Sequence, residues 1–295
     1  MSDNTLRMRA RTTAPVKEVW HALTDAAALR VWLAEHAEVE LPGTYAFWGR
    51  STPDGAEAHQ RPLDTGEHTL RYAWRLDDVD TEVEFTLEEG EAGGTVIALL
   101  QSDVPAFGDP EAETSARGLL HTFWAMAIAN LVDHLEGRPL TALVDLTSPV
   151  MRHEVVIDAP RSAVYASLVE PEQFARWFGA KVGIEPHVGG RFSMGGFELD
   201  PQGAKIVDVE PGVRMSIAWE SMVTTWELQD ADGRTKLTFV QSGFDEAHPP
   251  YDAWTGWLSG VAELRRYHEL QDWHPIWLAV ESPGVPQSML TVGTE

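Results

Sequence analysis

The feature that most constrains this 295-residue chain is that its pattern occurs twice. Residues 14–33 read APVKEVWHALTDAAALRVWL, and residues 159–178 read APRSAVYASLVEPEQFARWF. Displaced by 145 positions, Ala14-Pro15 falls on Ala159-Pro160, Val19-Trp20 on Val164-Tyr165, Leu23 on Leu168, Trp32 on Trp177 and Ala73-Trp74 on Ala218-Trp219. Gln101-Ser102 meets Gln241-Ser242 at a displacement of 140, and Trp124 and Leu131 meet Trp257 and Leu264 at 133. The landmarks keep their order while the offset drifts only across loop-like stretches, the mark of one duplicated domain. Length agrees, since about 100–200 residues per domain gives two. The join is expected near Arg138–Pro149, which predicts domains at 1–140 and 150–280 and a C-terminal tail at 281–295.

Each copy follows one plan. Leu6-Arg7-Met8-Arg9-Ala10-Arg11 alternates with the period of a half-buried strand. Pro15 opens a helix at its tolerated first position, and Val16, Val19, Trp20 and Leu23 give it an apolar stripe. A short helix through Leu29 and Trp32 follows, then strands at Ala37–Leu41, Thr44–Trp48, Thr69–Arg75, Thr81–Leu87 and Thr95–Ser102, then a long helix from about Glu111 to Leu135. The second copy repeats this from Arg152 to a long helix over about Tyr251 to Leu270. Antiparallel strands closed by one long helix predict an α+β fold.

These residues are similar to one superfamily. Ala-Pro, then Val-Trp/Tyr, the short helix ending in Trp, Val188-Gly189-Gly190-Arg191-Phe192, the run from Gly203 to Gly212 leading to Trp219, and Gln241-Ser242-Gly243-Phe244 resemble the START/Bet v 1-like (SRPBCC; polyketide cyclase/dehydrase and lipid transport) superfamily. Within it they resemble the branch named for the activator of Hsp90 ATPase. The resemblance spans roughly residues 5–137 and 150–272. It is weaker in the first copy, where Pro42-Gly43 stands for the Gly-Gly turn. It implies tandem helix-grip domains, each a curved antiparallel sheet wrapped around a long C-terminal helix and often enclosing an apolar cavity. It also implies lipid, hormone or polyketide binding, polyketide cyclisation, or protection against enediynes.

Composition removes other classes. A formal charge of −24 excludes nucleic acid as the main partner, because phosphate contacts need clustered Lys and Arg. The acidity is spread over both copies: 11 basic against 25 acidic side chains over residues 1–147, and 11 against 21 over residues 148–295. The absence of cysteine removes disulfides, thiolate metal sites and cysteine nucleophiles. Met1–Asn4 lacks the basic and apolar regions of a signal peptide, and no apolar run approaches a membrane span, so a cytoplasmic protein without membrane insertion is expected. The 11 histidines form no H-E-x-x-H, and no G-x-S-x-G or phosphate-cradling motif occurs. Neither a metal nor a cofactor is expected, and the oligomeric state stays open.

The strand faces carry the candidate site. Leu70, Tyr72 and Trp74 share one parity against Arg71 and Arg75, and Val83, Phe85 and Leu87 oppose Glu82 and Glu84. In the second copy Val213, Met215, Ile217 and Trp219 oppose Arg214, and Thr224, Trp226 and Leu228 oppose Glu227. Such faces form either ordinary core or the floor of a ligand tunnel, and Trp and Tyr favour the tunnel because their N–H and O–H groups need partners. The ligand-binding candidates are therefore Tyr72, Trp74, Phe85, Gln101, Trp124, Trp219, Trp226, Phe239, Gln241 and Trp257. Gln101 and Gln241 either orient a ligand or satisfy backbone at a strand end. Trp20, Trp32 and Trp177 read as packing residues. Gly256 and Gly260 on the last long helix mark either close packing or room for a ligand. His121 and Tyr72 are the weak catalytic candidates. The reading leans to a non-catalytic carrier of an apolar small molecule (polyketide, polyene or lipid-like) in bacterial specialised metabolism. A polyketide cyclase, aromatase or dehydratase and an enediyne-sequestering resistance protein are the alternatives.

Overall fold

The computed structural model describes residues 4–110, 112 and 115–292. Its elements in chain order begin with β1 (Leu6–Thr12), α1 (Val16–Thr24), α2 (Ala26–Trp32), β2 (His36–Glu40), β3 (Thr44–Trp48), β4 (Gln60–Thr65), β5 (Thr69–Leu76), β6 (Val79–Glu89), β7 (Thr95–Gln101) and α3 (Leu120–Leu135). They continue with β8 (Arg152–Ile157), α4 (Arg161–Val169), α5 (Pro171–Phe178), β9 (Val182–Ile184), β10 (Arg191–Met194), β11 (Ala204–Glu210), β12 (Arg214–Ala218), β13 (Val223–Ala231), β14 (Arg234–Ser242), α6 (Tyr251–Glu269) and β15 (Trp277–Glu281). The chain divides into two compact units. One is Met1–Thr147 with Tyr251–Ser259 and Ile276–Val285, the other Ser148–Pro250 with Gly260–Pro275 and Pro286–Glu295.

In the first unit an antiparallel sheet runs β15-β1-β7-β6-β5-β4, beside the hairpin β2-β3. Period-2 alternation buries Leu6, Met8 and Ala10 on β1, Leu70, Tyr72 and Trp74 on β5, and Val83, Phe85 and Leu87 on β6. The opposite face carries cross-strand ion pairs such as Arg71 with Glu82 and Glu84, which puts the acidity outside. In the second unit seven antiparallel strands run β8-β14-β13-β12-β11-β10-β9. Each unit is a sheet with helices on one face, the α+β helix-grip arrangement.

Two side-chain clamps recur in both copies, and the first copy adds a helix cap that the second lacks. Asp25 caps α2 by accepting the Ala28 N–H at 2.8 Å. The indole N–H of Trp32 donates to the Ala22 carbonyl at 3.0 Å, and that of Trp177 to the Ser167 carbonyl at 2.9 Å. Thr95 Oγ1 donates to the Ala14 carbonyl and Thr235 Oγ1 to the Ala159 carbonyl, both at 2.7 Å. Trp32 and Trp177 are thus the packing residues expected of them. Trp20 is not: it is half-buried and lines a surface groove of about 460 Å³ with Val16, Lys17, Glu67, His68 and Glu89.

Two other expectations change, and one open alternative is settled. The long helix of the first copy starts at Leu120 and not near Glu111, which with Glu113 and Thr114 lies outside the described residues. The Asp77 carboxylate accepts the backbone N–H groups of Ala116 and Arg117 at 3.1 and 2.9 Å, diverting them from a helical ladder. Strands β4 and β15 were missed, because β4 contains Pro62 and only weak alternation, and β15 is called into being by pairing with β1. Gly256 and Gly260 serve close packing. A Cβ on Gly256 would sit 3.1 Å from the Thr122 methyl, and one on Gly260 2.8 Å from the Phe178 ring.

Candidate functional site

Strand pairing brings Tyr72, Trp74, Phe85, Gln101 and Trp124 into one cluster in the first unit. Across β5 and β6, Tyr72 faces Val83 and Leu70 faces Phe85; across β6 and β7, Val83 faces Gln101. Helix α3 sets Trp124 against this face, its ring 6.0 Å from Trp74 and 5.5 Å from Phe85. From β3, Tyr45 lies 4.9 Å from Tyr72 and Phe47 lies 5.1 Å from Trp74. Gln101 bonds side chains rather than backbone at its strand end. Its Oε1 accepts from Trp124 Nε1, and its Nε2 donates to Thr81 Oγ1 at 2.9 Å, which in turn donates to the Trp74 carbonyl at 2.8 Å.

Polar accounting separates the members of this cluster. The Tyr45 hydroxyl donates to the Leu23 carbonyl at 3.1 Å, and Trp124 is satisfied by Gln101. The Tyr72 hydroxyl and the Trp74 Nε1–H have no hydrogen-bond partner among the described residues, although both side chains are 0% exposed. Burial, and then Tyr45, raise the Tyr72 pKa well above 10, so its hydroxyl keeps its proton and is a donor. A buried polar group left unpaired costs about 1–3 kcal/mol, so two on one strand face are a notable expense. Next to them, Phe123 touches the Trp74 ring at 5.7 Å and lines an apolar cavity of about 20 Å³ with Leu33, Met126 and Val144. That is room for about one water molecule. Ser51 and Thr255 also line it, and their hydroxyls are buried without partners. Neither was singled out in the sequence, since a lone hydroxyl there carries no pattern.

In the second unit Trp226 and Phe239 stand opposite each other on β13 and β14 with rings 4.2 Å apart, and Gln241 stands opposite Thr224. Trp219, just after β12, is half-buried and donates to Thr224 Oγ1 at 3.0 Å. Gln241 Nε2 shares that oxygen at 3.5 Å, while Gln241 Oε1 is buried and unpartnered. His153 faces Phe239 across β8 and β14, and its Nε2 is buried and unpartnered as well. Burial first, then Arg265, lower the His153 pKa, which favours the neutral ring. Trp257, the counterpart of Trp124, belongs to the Tyr251–Ser259 segment that groups with the first unit.

The catalytic candidates have separate surroundings. Tyr72 lies among rings. His121 pairs through Nδ1 with Ser282 Oγ and donates from Nε2 to the Pro105 carbonyl at 2.8 Å, beside a cavity of about 130 Å³ lined by Phe107, Thr122 and Asp252. Burial lowers the His121 pKa. Among the described residues no set of three carboxylate or imidazole groups is placed to hold a metal ion, and no helix is long and apolar enough to cross a membrane.

Sheet, gripping helix and duplicated clamps define a tandem helix-grip protein of the SRPBCC type. The family model described as Activator of Hsp90 ATPase homolog 1-like protein matches residues 13–136 and 158–269, and the chain belongs to that family as two tandem copies. Among solved structures it is similar to DynU16, a protein of the dynemicin biosynthetic locus, at 15% identity over 90% of this chain and 100% of that one, with a TM-score of 0.38. CalU16 from Micromonospora echinospora is 24% identical over 46% of this chain and 76% of that one, with a TM-score of 0.36. The Aha1 dimer from Colwellia psychrerythraea is 17% identical over 42% of this chain and 98% of that one, with a TM-score of 0.34. No curated protein matches the sequence.

Proposed function

We propose that this protein is a non-catalytic carrier or sequestering protein for an apolar small molecule that bears oxygen functions, of polyketide, polyene or lipid-like type. The observation that carries the reading is the pair of fully buried, unpartnered donors, Tyr72 O–H and Trp74 Nε1–H, set among aromatic rings. A carbon skeleton with an oxygen between these donors satisfies both and keeps the apolar contacts of the cluster. Phe85, Gln101 and Trp124 complete the first copy's site, and Trp219, Trp226, Phe239 and Gln241 form its counterpart in the second. Phe123 lines the small cavity and packs against the Trp74 ring, with centroids 5.7 Å apart. As units of duplication we retain 1–140 and 150–280, followed by the tail 281–295, supported by the two family segments.

The test is energy transfer from tryptophan to a conjugated polyene alcohol such as retinol. Saturable transfer that weakens about 2- to 13-fold in Trp74→Phe and Tyr72→Phe proteins supports the proposal, the range being that of one hydrogen bond. No saturable response, or turnover of the bound molecule, overturns the non-catalytic carrier.

A further inference from the structure

Duplication leaves the second copy with a sheet edge that the first copy covers. In the first unit β15 pairs with β1, Arg7 opposite Glu281 and Arg9 opposite Ala279, and the Arg11 N–H donates to the Ile276 carbonyl at 2.8 Å. Arg7, Arg9 and Arg11 therefore turn their backbone groups toward β15. Displaced by 145, these positions become Arg152, Glu154 and Val156 on β8. The Gln241 N–H donates to the Met151 carbonyl at 3.0 Å, and Phe239 and Leu237 stand opposite His153 and Val155. Met151, His153 and Val155 thus give their backbone groups to β14, and Arg152, Glu154 and Val156 turn theirs outward. Beyond them β8 ends its sheet, with no further strand among the described residues.

The other edges of the two large sheets are blunted. Strand β4 holds Pro62 and a register shift, β15 pairs through a register shift, and β9 is three residues long. Strand β8 runs in regular register against β14 and contains neither Pro nor Gly. Its sequence also complements its own reverse. When two β8 strands pair antiparallel about His153, Arg152 stands opposite the partner's Glu154 and Val150 opposite the partner's Val156, and both pairs recur across the two-fold axis. Val150 and Val156 are 74% and 43% exposed in the single chain, and each covers the other. Arg152 and Glu154 are exposed on the same face and already 2.6 Å apart, so the pairing extends one ion pair into a ladder. Arg152 and the partner's Glu154 exchange both backbone bonds. The Val156 N–H donates to the Val150 carbonyl across the seam, while the Val150 N–H stays with Ser148 Oγ at 3.2 Å. His153 meets its own copy as a neutral ring, because burial and Arg265 lower its pKa. Centring the pair on Glu154 instead sets two carboxylates face to face, which disfavours that register.

We infer that β8 is the seam of a two-fold dimer: a second copy of this chain pairs antiparallel with it about His153 and joins two seven-stranded sheets into one. The inference concerns the sheet edge and is independent of what the interior binds.

The experiment is sedimentation velocity of the full chain from micromolar to millimolar concentration. It is run in about 0.15 M salt, where repulsion between the acidic chains is screened beyond about 8 Å. A concentration-dependent monomer–dimer equilibrium is the expected result. Arg152→Glu and Glu154→Arg each set like charges opposite one another in both symmetric pairs, and each weakens dimerisation by at least about 4-fold. Mixing the two variants restores opposite charges in both pairs and recovers a heterodimer, which neither misfolding nor a general change of charge produces. Because the chain has no cysteine, the register can be read by cross-linking. Val150→Cys and Val156→Cys proteins oxidised together give the mixed disulfide in preference to either symmetric one. Lys236 lies 2.8 Å from Glu154, so should Glu154→Arg fail to fold by circular dichroism, the cysteine pair decides alone, and absence of the mixed disulfide overturns the seam. A wild-type chain that stays monomeric throughout leaves this edge to a foreign strand and overturns the self-pairing. A dimer that folded charge variants leave unchanged, or a mixture of them that stays monomeric, overturns it as well.

Discussion

Two tyrosines whose rings lie 4.9 Å apart respond in opposite directions to the same substitution. Tyr45 and Tyr72 are both buried, and a Phe in either place keeps the ring and its contacts. At Tyr45 the lost hydroxyl is the donor to the Leu23 carbonyl, so Tyr45→Phe removes a hydrogen bond and leaves that carbonyl unpaired. The cost is about 1–3 kcal/mol. At Tyr72 the lost hydroxyl has no partner among the described residues, so Tyr72→Phe removes an unpaid desolvation and stabilises the unliganded protein by about 1–3 kcal/mol. At about 2–4 °C per kcal/mol for a unit of this size, the two variants move the first unit's Tm apart by several degrees on each side of wild type. Urea unfolding followed by circular dichroism is the assay, with an unchanged m-value required so that the shift is one of stability. Ligand then reverses the order: Tyr72→Phe, the more stable apo protein, binds more weakly. Should Tyr72→Phe lose as much stability as Tyr45→Phe, the Tyr72 hydroxyl is paired in solution. The inference from open donors to a ligand then has no basis.

Other substitutions test the packing around the site. Asn130 is buried and holds Thr141 with two bonds of 3.0 Å, to its N–H and its carbonyl, so Asn130→Ala strands both groups and costs about 2–6 kcal/mol in urea unfolding. Gly260→Ala drives a methyl to 2.8 Å from the Phe178 ring, and overpacking of about 1–3 kcal/mol outweighs the helix gain of about 1 kcal/mol. Gly256→Ala meets only the Thr122 methyl at 3.1 Å and comes out near neutral in the same measurement. Glu185 accepts from the Arg191 side chain and backbone, which lowers its pKa from 4.5 to about 2. A depressed carboxylate stabilises above its unfolded pKa and loses that contribution as pH falls toward its folded value. The stability gap between wild type and Glu185→Gln should therefore close between pH 4.5 and about 2 in an acid titration.

The duplication was legible because its markers do the same physical work twice: Trp32 and Trp177 each donate to a carbonyl ten residues earlier. Strand faces were legible too, since alternation at Leu70, Tyr72 and Trp74 follows from backbone geometry alone. What escaped depends on groups distant in sequence. The helix beginning at Leu120 is delayed by a carboxylate at Asp77, 39 and 40 residues before the N–H groups it accepts. Strand β15 exists as the partner of β1, at the other end of the chain. The aromatic residues of the first site were identifiable by parity, but which of their polar atoms stay open was not. That depends on whether Gln101 reaches Trp124 and whether Tyr45 reaches Leu23, and no local pattern reports it.

The clamps and the interior carry different selective loads. Thr95 and Thr235 bond the Ala14 and Ala159 carbonyls at an identical 2.7 Å, and the two tryptophan clamps agree to 0.1 Å. A duplicated fold that drifted without constraint would blur these and the interior alike. Here the clamps coincide while the interior exchanges roles at matched positions: Trp74 open against Trp219 closed, Gln101 closed against Gln241 open. Such an exchange moves the open group from one strand of the sheet to another. Stability alone does not favour it, because each open atom costs about 1–3 kcal/mol that a Phe or Leu would spare. Polar atoms left open inside both copies at that cost are what a ligand-binding interior requires and a purely structural core does not.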